Sequence, residues 1–538
     1  MFYMMATTGR WRWLVSFVFF VTLLLLGIAL HRDYGVSWDE PNNHLNGLVT
    51  LKYLANLLPA DNTLRHHPTF LTTPNLREFP DSHHGPVFEV AAIAISYLIT
   101  DHDSRSYFFV RHFMVFSVSM LGIWALYRLG TYWLRDWRWG LLGASILVAS
   151  PRFFAESFYN GKDIVYMGFF TLSMFTLTRL LRRLSLGRAI VHGFATALTI
   201  DVRVHGSQLL LFTALALLLE RRYTTSASSS TASLGRLFSV YVATTLIVAT
   251  AGWPYLWAHS LPELLAVSKH AVRYPWGFTN FYLGQHLLVE QLPWHYIPVW
   301  ILITTPIPYI VAALAGLLLA ARRVTQQRAT VLRTANGRLA ALLALWLLAP
   351  LALVMSTHVV VYEGWRHLYY IYPSLVLWAV WGIRELVDWG RAVGLRRRLA
   401  HLLLTLGALE TAHTIVRIVQ MHPHQNVYFS FLPGDVVDKN FERDYWCLAY
   451  RQGLEWILAH DASPSLKVNV FWHYPLRNNS LILPPHDRAR LSYTPDSTAR
   501  YYLAGYRWHP QSYLDSLGTE VYSIREGGVK VLSVFQRY

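Results

Sequence analysis

Two adjacent carboxylates, Asp39 and Glu40, follow the first apolar run of the chain. That run, from Trp13 to Leu30, is nearly uncharged and long enough, or nearly so, to cross a bilayer. Trp38 directly precedes the pair, and tryptophan is enriched at the membrane–water boundary. The pattern predicts carboxylates at the membrane surface, within reach of a lipid head group. A second interpretation stays open, because an Asp before Glu-Pro is also a good helix start and N-cap.

Further charged side chains fall in loops that the predicted topology places on the same side of the membrane. They are Lys162 and Asp163 before one span, Arg203 and His205 between two others, and Arg366 and His367 in a short loop. Such a set suits transfer from a lipid phosphate, because a carboxylate takes the proton from an attacking hydroxyl and arginine pairs bidentately with phosphate. Arg203 and Arg366 are predicted to hold the donor phosphate, together with Lys162, His205 and His367. Structural interpretations compete with this one: a helix cap at Asp163, a snorkelling Arg203 or an interfacial anchor at Arg366.

A third group, formed by His83, His84 and Glu89, resembles a set of metal ligands, although its spacing matches no strong signature. The sequence therefore names no certain cofactor and allows a divalent metal ion. It contains no Walker loop, no GxGxxG after a strand, no HExxH and no Gly-x-Ser-x-Gly. The sequence therefore favours neither an enzyme that uses a soluble nucleotide nor a serine hydrolase.

The composition is that of a polytopic membrane protein. Of 538 residues, 54% are hydrophobic and only 14% charged, and the mean hydropathy is +0.28. The net charge of +16 does not indicate nucleic acid, because it lies mostly in short clusters between apolar runs, as the positive-inside rule expects. From His422 to Tyr538 there are 12 Lys and Arg against 11 Asp and Glu, so that region is nearly neutral.

The fold class predicted is a helical bundle of about 11 transmembrane helices, residues 1–421, with a small extracytoplasmic α/β domain, residues 422–538. The N-terminus is expected in the cytoplasm and the C-terminus outside. Residues 31–110 and 257–295 are expected to form long external loops, the first with an interfacial helix at Val87–Thr100, whose 14 residues are short for a span. The predicted spans are 13–30, 108–129, 140–155, 164–181, 189–202, 207–219, 237–256, 296–320, 339–356, 368–386 and 401–419.

The C-terminal region carries its own signals of secondary structure. Asp444–His460 has helical spacing, and Leu466–Trp472 alternates as a strand does. Glu520–Ile524 and Lys530–Phe535 flank a turn with two glycines, which is typical of a hairpin. These signals predict a small domain packed on the external face of the bundle.

Several motifs, in their order along the chain, resemble the GT-C membrane glycosyltransferases. The branch in question holds the protein mannosyltransferases that use dolichyl phosphate mannose and the bacterial aminoarabinose transferase of lipid A. The resemblance covers roughly residues 10–220 and, more loosely, the later spans. It is carried by Trp38-Asp39-Glu40, His84-Gly85-Pro86-Val87-Phe88, Arg111, Ser150-Pro151-Arg152 and Asp163.

The resemblance implies an enzyme whose donor is a sugar on a polyprenyl phosphate. It implies Asp39 as general base with Glu40 beside it, and Asp163 as an acid of the second external loop that shapes the acceptor or metal site. Two features depart from the family: His-Gly-Pro replaces its His-Pro-Pro, and the tail does not match the β-trefoil of the eukaryotic mannosyltransferases. Protein, lipid A and other cell-envelope glycans therefore all remain open as acceptors.

The interpretation favoured by these patterns is an inverting glycosyltransferase of the bacterial plasma membrane. Its partners would be the lipid-linked donor, the acceptor and the bilayer. A transporter or flippase of lipid-linked sugars is the alternative, and it would place polar groups at the membrane midplane and repeat its halves. An assembly subunit without catalysis is a third possibility, which the joint presence of Asp39 and Asp163 disfavours.

Overall fold

The structure is a computed structural model that describes residues 2–223, 231–260, 262–264, 277–357, 359–470, 473–494, 498–513 and 515–537. Parts of the predicted second external loop and of the Ser- and Thr-rich linker at 220–236 lie outside these residues. Helices dominate the first 421 residues, and a mixed sheet appears only after them.

The first half of the chain is a series of helices joined by short turns. In chain order they are α1 (Phe2–Leu30), α2 (Glu40–Asn56), α3 (Thr69–Thr72), α4 (Val87–Ile99), α5 (Ser104–Leu134), α6 (Trp137–Val148), α7 (Pro151–Tyr159), α8 (Asp163–Arg182), α9 (Leu186–Val202), α10 (Gln208–Tyr223), α11 (Thr231–Gly252) and α12 (Tyr255–Ala258). Local chemistry sets several starts. The side chains of Asp103 and Asp136, for example, accept backbone hydrogen bonds at the first turns of α5 and α6.

The second half begins with a two-stranded hairpin, β1 (Asn280–Tyr282) and β2 (Gln285–Leu287), followed by further helices of the bundle. These helices are α13 (Tyr296–Thr304), α14 (Ile307–Gln327), α15 (Ala335–Thr357), α16 (Tyr372–Trp389) and α17 (Leu395–Gln420). A 3₁₀ turn, Arg366–Ile371, runs directly into α16.

The prediction of a polytopic helical membrane protein is confirmed. Among the described residues, seven helices are long and apolar enough to cross a membrane, namely α1, α5, α8, α11, α14, α15 and α17. α4, with 13 residues, is too short to count among them, as expected for the run at Val87–Thr100. Of the four other predicted spans, 140–155 is broken, and 189–202 and 207–219 correspond to the shorter helices α9 and α10. The fourth, 368–386, corresponds to α16, which has 18 residues but carries three charged residues near its end, Arg384, Glu385 and Asp388.

Two predicted spans are not continuous helices, because proline interrupts them. The run at 140–155 is two helices, since α6 ends before Ser150-Pro151 and α7 begins at that proline. The run at 296–320 is likewise broken between α13 and α14 at Pro306. In both cases the composition stays apolar across the break, so hydropathy alone does not reveal it.

The C-terminal region forms the predicted α/β unit. Its strands are β3 (Leu466–Val470), β4 (Leu491–Tyr493), β5 (Tyr501–Gly505), β6 (Thr519–Glu526) and β7 (Val529–Gln536), in the sheet order β4-β3-β5-β7-β6. Its helices are α18 (Gly434–Asn440), α19 (Ala449–His460), α20 (His473–Ser480) and α21 (Pro485–Ala489). The hairpin prediction is confirmed, since β6 and β7 pair antiparallel around Gly527 and Gly528, both at positive φ.

This C-terminal unit packs directly on the segment that carries the Asp39–Glu40 pair. The backbone N–H of Trp38 donates to the Trp446 carbonyl at 3.1 Å, and Val36 donates its N–H to the Asn479 side chain, also at 3.1 Å. Arg451 of α19 donates to the carbonyl oxygens of Arg32 and Tyr34. The position of the first loop is therefore set by the tail as well as by the bundle.

Candidate active site

Asp39 occupies the N-cap position of α2 but does not cap the helix. Its side chain makes no capping hydrogen bond. Instead its Oδ2 accepts from Nη1 of Arg366 at 2.9 Å, across 327 residues of sequence. The helix-cap interpretation of this carboxylate is thus not what the structure shows, and the side chain is free to serve a site.

Arg366 is the centre of a group of carboxylates. Besides Asp39, its guanidinium contacts Asp163 at 3.3 Å and Glu363 at 2.6 Å. The other oxygen of Asp163 accepts from Arg203. These groups come from the start of α2, the start of α8, the end of α9 and the 3₁₀ turn before α16, so four ends of elements meet at one place.

Asp163 is held more tightly than a helix-capping residue would be. It is the first residue of α8, and its side chain is about 1% exposed. In addition to the two arginines, the Asn160 amide donates to its Oδ2 at 3.1 Å, and the Asp163 N–H donates to Asn160 Oδ1 at 2.8 Å. Asn160 therefore orients Asp163, while the side chain of Asp39, 31% exposed, is the more accessible of the two carboxylates.

The electrostatic surroundings keep Asp39 ionised. Burial on its own would raise the pKa of its carboxyl, but Arg366, Lys162 and Arg203 lower that pKa below its usual value. At neutral pH the site thus offers a partly exposed, negatively charged oxygen that can accept a proton.

Lys162 supplies a cation that no carboxylate neutralises directly. Within the residues that the structure describes, its ammonium group makes no ion pair. Burial and the nearby Arg203 lower the pKa of Lys162 to about 8, against the opposing influence of Asp39, Asp163 and Asp81. Lys162 is therefore mostly protonated at pH 7 and available to an anion.

Three histidines of the cluster are neutral at pH 7, because the pKa of each is lowered. Burial lowers the pKa of His84, His205 and His367, and the charge of Arg203 lowers each further. Lys162 acts in the same direction on His84 and His367. Burial is the largest cause in each case and the neighbouring cations add to it, so the site combines neutral imidazoles with positive charges, which suits a phosphate group.

Glu40 points away from this centre, although it is the sequence neighbour of Asp39. Its Oε1 accepts from Arg111 at 2.6 Å and contacts Nε2 of His112 at 3.0 Å. The same Arg111 forms a bidentate pair with Glu89, with distances of 2.7 and 3.1 Å. Glu40, Glu89 and Arg111 are all buried, so this set fastens α2 and α4 to α5.

The structure modifies the predicted metal group. Asp81, His83 and His84 offer ligand atoms within 4.8 Å of one another, whereas Glu89 is not part of the group. One carboxylate and two imidazoles are donors that suit an ion such as zinc. Asp81 is also held by the Asn42 amide at 2.7 Å, which fixes one of its oxygens.

Two buried groups of the site escaped the sequence analysis. Glu363 bonds Arg366 and also accepts from Arg507 of the C-terminal unit at 2.5 Å. Arg507 in turn donates to Glu442 at 2.7 Å. Glu363 has φ +58, which is unusual for a residue other than glycine, and its carboxylate pairs with both Arg366 and Arg507.

A prediction on stability follows from Gly85, where this chain departs from His-Pro-Pro. A Cβ at Gly85 would lie 1.6 Å from the Asp201 carbonyl oxygen, so only glycine fits against the end of α9. We expect Gly85→Ala to cost about 1–3 kcal/mol of stability, because the loop must move off the helix. Thermal unfolding of the purified protein in detergent measures this.

Gly187→Ala in α9 is the matched control, since a Cβ there meets no atom within 4 Å and alanine favours a helix. It should leave the unfolding temperature unchanged or slightly raised. Equal destabilisation by both substitutions would contradict the close contact of Gly85 with α9.

Comparison with known proteins gives distant structural likenesses. No protein-family model and no curated protein sequence matches the chain. Its structure is similar to ArnT from Cupriavidus metallidurans in the apo state, with a TM-score of 0.48 and 11% identity over 98% of each chain. The same protein bound to undecaprenyl phosphate gives a TM-score of 0.46 and 10% identity over 96% of this chain and 98% of that one.

The apo oligosaccharyltransferase of Archaeoglobus fulgidus gives a TM-score of 0.46 and 11% identity over 88% of this chain and 63% of that one. ArnT and this oligosaccharyltransferase are both GT-C glycosyltransferases, the group that the sequence motifs resemble. At such distances a likeness assigns no function, so the function proposed for this chain rests on the side chains of its site.

Proposed function

We propose that the chain is an integral membrane glycosyltransferase that moves a sugar from a polyprenyl phosphate to an acceptor hydroxyl. The observation that carries this proposal is a partly exposed, ionised Asp39 near Lys162, a cation that forms no ion pair among the described residues, within a cluster at the ends of helices. A base and a phosphate-binding cation side by side are what such a transfer needs.

In the proposed step, the acceptor oxygen attacks the anomeric carbon of the donor sugar and its proton passes to Asp39. The new C–O bond forms as the bond from the anomeric carbon to the phosphate oxygen breaks. Polyprenyl phosphate leaves with the electron pair of that bond. A single displacement of this kind inverts the anomeric configuration.

Lys162 and Arg203 are the residues proposed to hold the phosphate and stabilise its developing charge. His84, His205 and His367 would add hydrogen bonds, because neutral imidazoles can donate without a charge. Arg366 is already contacted by three carboxylates, so its main role is to fix Asp39 and Asp163 relative to each other. Glu40 serves the frame through Arg111.

Asp81, His83 and His84 are proposed to hold a divalent cation if the protein uses one. Such an ion would add positive charge beside the phosphate position. The acceptor is proposed to be a protein or a lipid or glycan of the cell envelope, reached from the external face of a bacterial plasma membrane. The N-terminus would then be cytoplasmic and the C-terminal unit extracytoplasmic.

The polar groups lie where an enzyme at the membrane surface would have them. Asp39, Lys162, Asp163, Arg203 and Arg366 all sit at the ends of helices and not along their length. A transporter of lipid-linked sugars would need its charged groups near the midplane. This placement supports the transferase over the transporter.

The test of the proposal is the pH dependence of donor binding. The donor phosphodiester carries one negative charge at all pH values concerned, whereas Lys162 loses its charge above about pH 8. We expect donor affinity to fall as pH rises through 8, approaching about tenfold per pH unit at higher pH. Binding of an undecaprenyl-phosphate sugar to the purified chain measures this, alongside transfer to an envelope extract.

Two variants of Lys162 serve as controls. Lys162→Arg keeps its charge throughout this range, so its donor affinity should stay flat between pH 7 and 9. Lys162→Gln should bind weakly at every pH. An unchanged affinity in Lys162→Gln at pH 7 would exclude Lys162 as the phosphate ligand, and absence of transfer by wild-type protein from any polyprenyl-phosphate sugar would overturn the proposed function.

A further inference from the structure

A cavity of about 290 Å³ lies between the C-terminal end of α16 and the start of α17. α16 leaves the candidate active site through the turn at Arg366–Ile371, and its 18 residues span about 27 Å. That length is close to the thickness of a hydrocarbon core. The cavity therefore opens at the membrane face opposite the carboxylate cluster.

One wall of the cavity is a face of α17. Arg397 and His401, four residues apart, share that face, and Leu404 continues it away from the helix start. Among the described residues, neither Arg397 nor His401 makes a side-chain hydrogen bond or an ion pair. The wall thus changes along its length from two unpaired donors to an apolar side chain.

The other wall is the end of α16 and the turn after it. It presents Val387, Gly390 and Arg391. The helices meet at the floor, where a Cβ on Gly390 would stand 2.5 Å from that of Ala400. Arg391 bonds Asp388 at 2.9 Å, but no carboxylate lines the cavity. The enclosed space is therefore positive at its mouth and apolar further in.

Neighbouring side chains place the mouth of the cavity at a membrane–water boundary. Trp389 is 41% exposed, as expected for an aromatic side chain at the head-group level. Leu402, Leu403 and Leu406 on α17 are more than half exposed and face the surroundings of the bundle. Basic pockets between membrane helices suit the head groups of anionic lipids.

We propose that this cavity binds an anionic phospholipid, with the phosphate at Arg391, Arg397 and His401 and an acyl chain along Leu404 and Val387. The inference does not depend on the function proposed for the carboxylate cluster. A general attraction of basic residues to an anionic leaflet would involve Arg396 and Arg398 equally, yet these two lie on the same turn of α17 without lining the cavity. They provide a matched comparison.

The experiment uses the full chain, purified in a neutral detergent and freed of lipid. Dioleoyl phosphatidylglycerol and dioleoyl phosphatidylcholine, which share acyl chains, are titrated separately, and bound lipid is counted by native mass spectrometry. We expect phosphatidylglycerol to bind at least about tenfold more tightly. In Arg391→Gln/Arg397→Gln its affinity should fall about 10- to 30-fold, and in Arg396→Gln/Arg398→Gln by no more than about twofold.

His401→Gln, which leaves both arginines in place, tests the same cavity if the double variant does not fold. It should weaken phosphatidylglycerol binding without affecting phosphatidylcholine. Equal losses in the two arginine pairs would show a diffuse surface attraction and overturn the site. Competition by millimolar glycerol phosphate would point to a free phosphate as the ligand and would also overturn it.

Discussion

Replacing Asp39 with asparagine is expected to reduce sugar transfer by about 10²–10⁴-fold while leaving donor binding intact. Asparagine keeps the size of the side chain and can still contact Arg366, but it cannot accept the proton of the attacking hydroxyl. Donor binding should not weaken, because the phosphate is assigned to Lys162 and Arg203 and the change removes a nearby negative charge. Donor binding and transfer are measured on the same purified protein.

Two further variants test whether the effect is specific to Asp39 or follows from the loss of any nearby carboxylate. Asp61→Asn removes an exposed carboxylate from the same loop and should change neither quantity. Glu40→Gln should act on stability, since Glu40 is buried against Arg111 and His112, and not on the chemical step. Full transfer by Asp39→Asn would remove Asp39 from the mechanism, whatever the outcome for Glu40.

The contrast between Asp39 and Glu40 shows where sequence analysis stops. Sidedness places both carboxylates at one membrane face, because charged residues at the ends of apolar runs are visible in the sequence. The direction of each side chain depends on α2 packing against α4 and α5, which the sequence does not show. In the structure Asp39 pairs with Arg366, whereas Glu40 pairs with Arg111. Of these two adjacent carboxylates, only Asp39 therefore belongs to the cluster around Arg366.

Local signals gave most of the fold. The apolar runs and the glycine-rich turn between β6 and β7 are properties of short segments, and the structure contains the corresponding helices and hairpin. The breaks at Pro151 and Pro306 were visible as prolines, but the composition around them is as apolar as that of a continuous span. An average of hydropathy over such a segment therefore predicts one continuous helix where the backbone forms two.

The link between the C-terminal unit and the site could not be predicted. Glu363 and Arg507 are 144 residues apart, and no periodicity or motif connects them. Their pairing depends on how β5 and its following loop pack against the turn at Glu363-Gly364. Sequence alone identified Arg366 in that turn but not the carboxylate three residues earlier that orients it.

Loss of Arg507 is expected to have the largest effect on stability of any substitution considered. Arg507→Gln would leave Glu442 buried without its arginine partner, and Glu363 buried with Arg366 alone. Breaking a buried ion pair on one side costs about 3–5 kcal/mol, because a charge stays uncompensated. Burial already raises the pKa of Glu442 to about 7, so that carboxylate depends strongly on its partner.

Arg500→Gln is the matched control, as Arg500 is about half exposed in its pair with Asp461 of the same C-terminal unit. It should lower the unfolding temperature much less than Arg507→Gln, because Asp461 still accepts hydrogen bonds from the Tyr501 hydroxyl and the Ser463 N–H when Arg500 is lost. The double variant Glu442→Gln/Arg507→Gln removes a negative charge together with the positive one, so we expect it to recover part of the lost stability.

Transfer activity shows whether the C-terminal unit positions the site or only stabilises the protein. With Arg507 gone, Glu363 has only Arg366 to pair with, and Arg366 is then drawn away from Asp39 and Asp163. We therefore expect Arg507→Gln to lower transfer even at temperatures where the protein is fully folded, and Glu442→Gln/Arg507→Gln to remain impaired in transfer while regaining stability. Wild-type transfer in folded Arg507→Gln would show that the C-terminal unit stabilises the chain without positioning the reactive carboxylate.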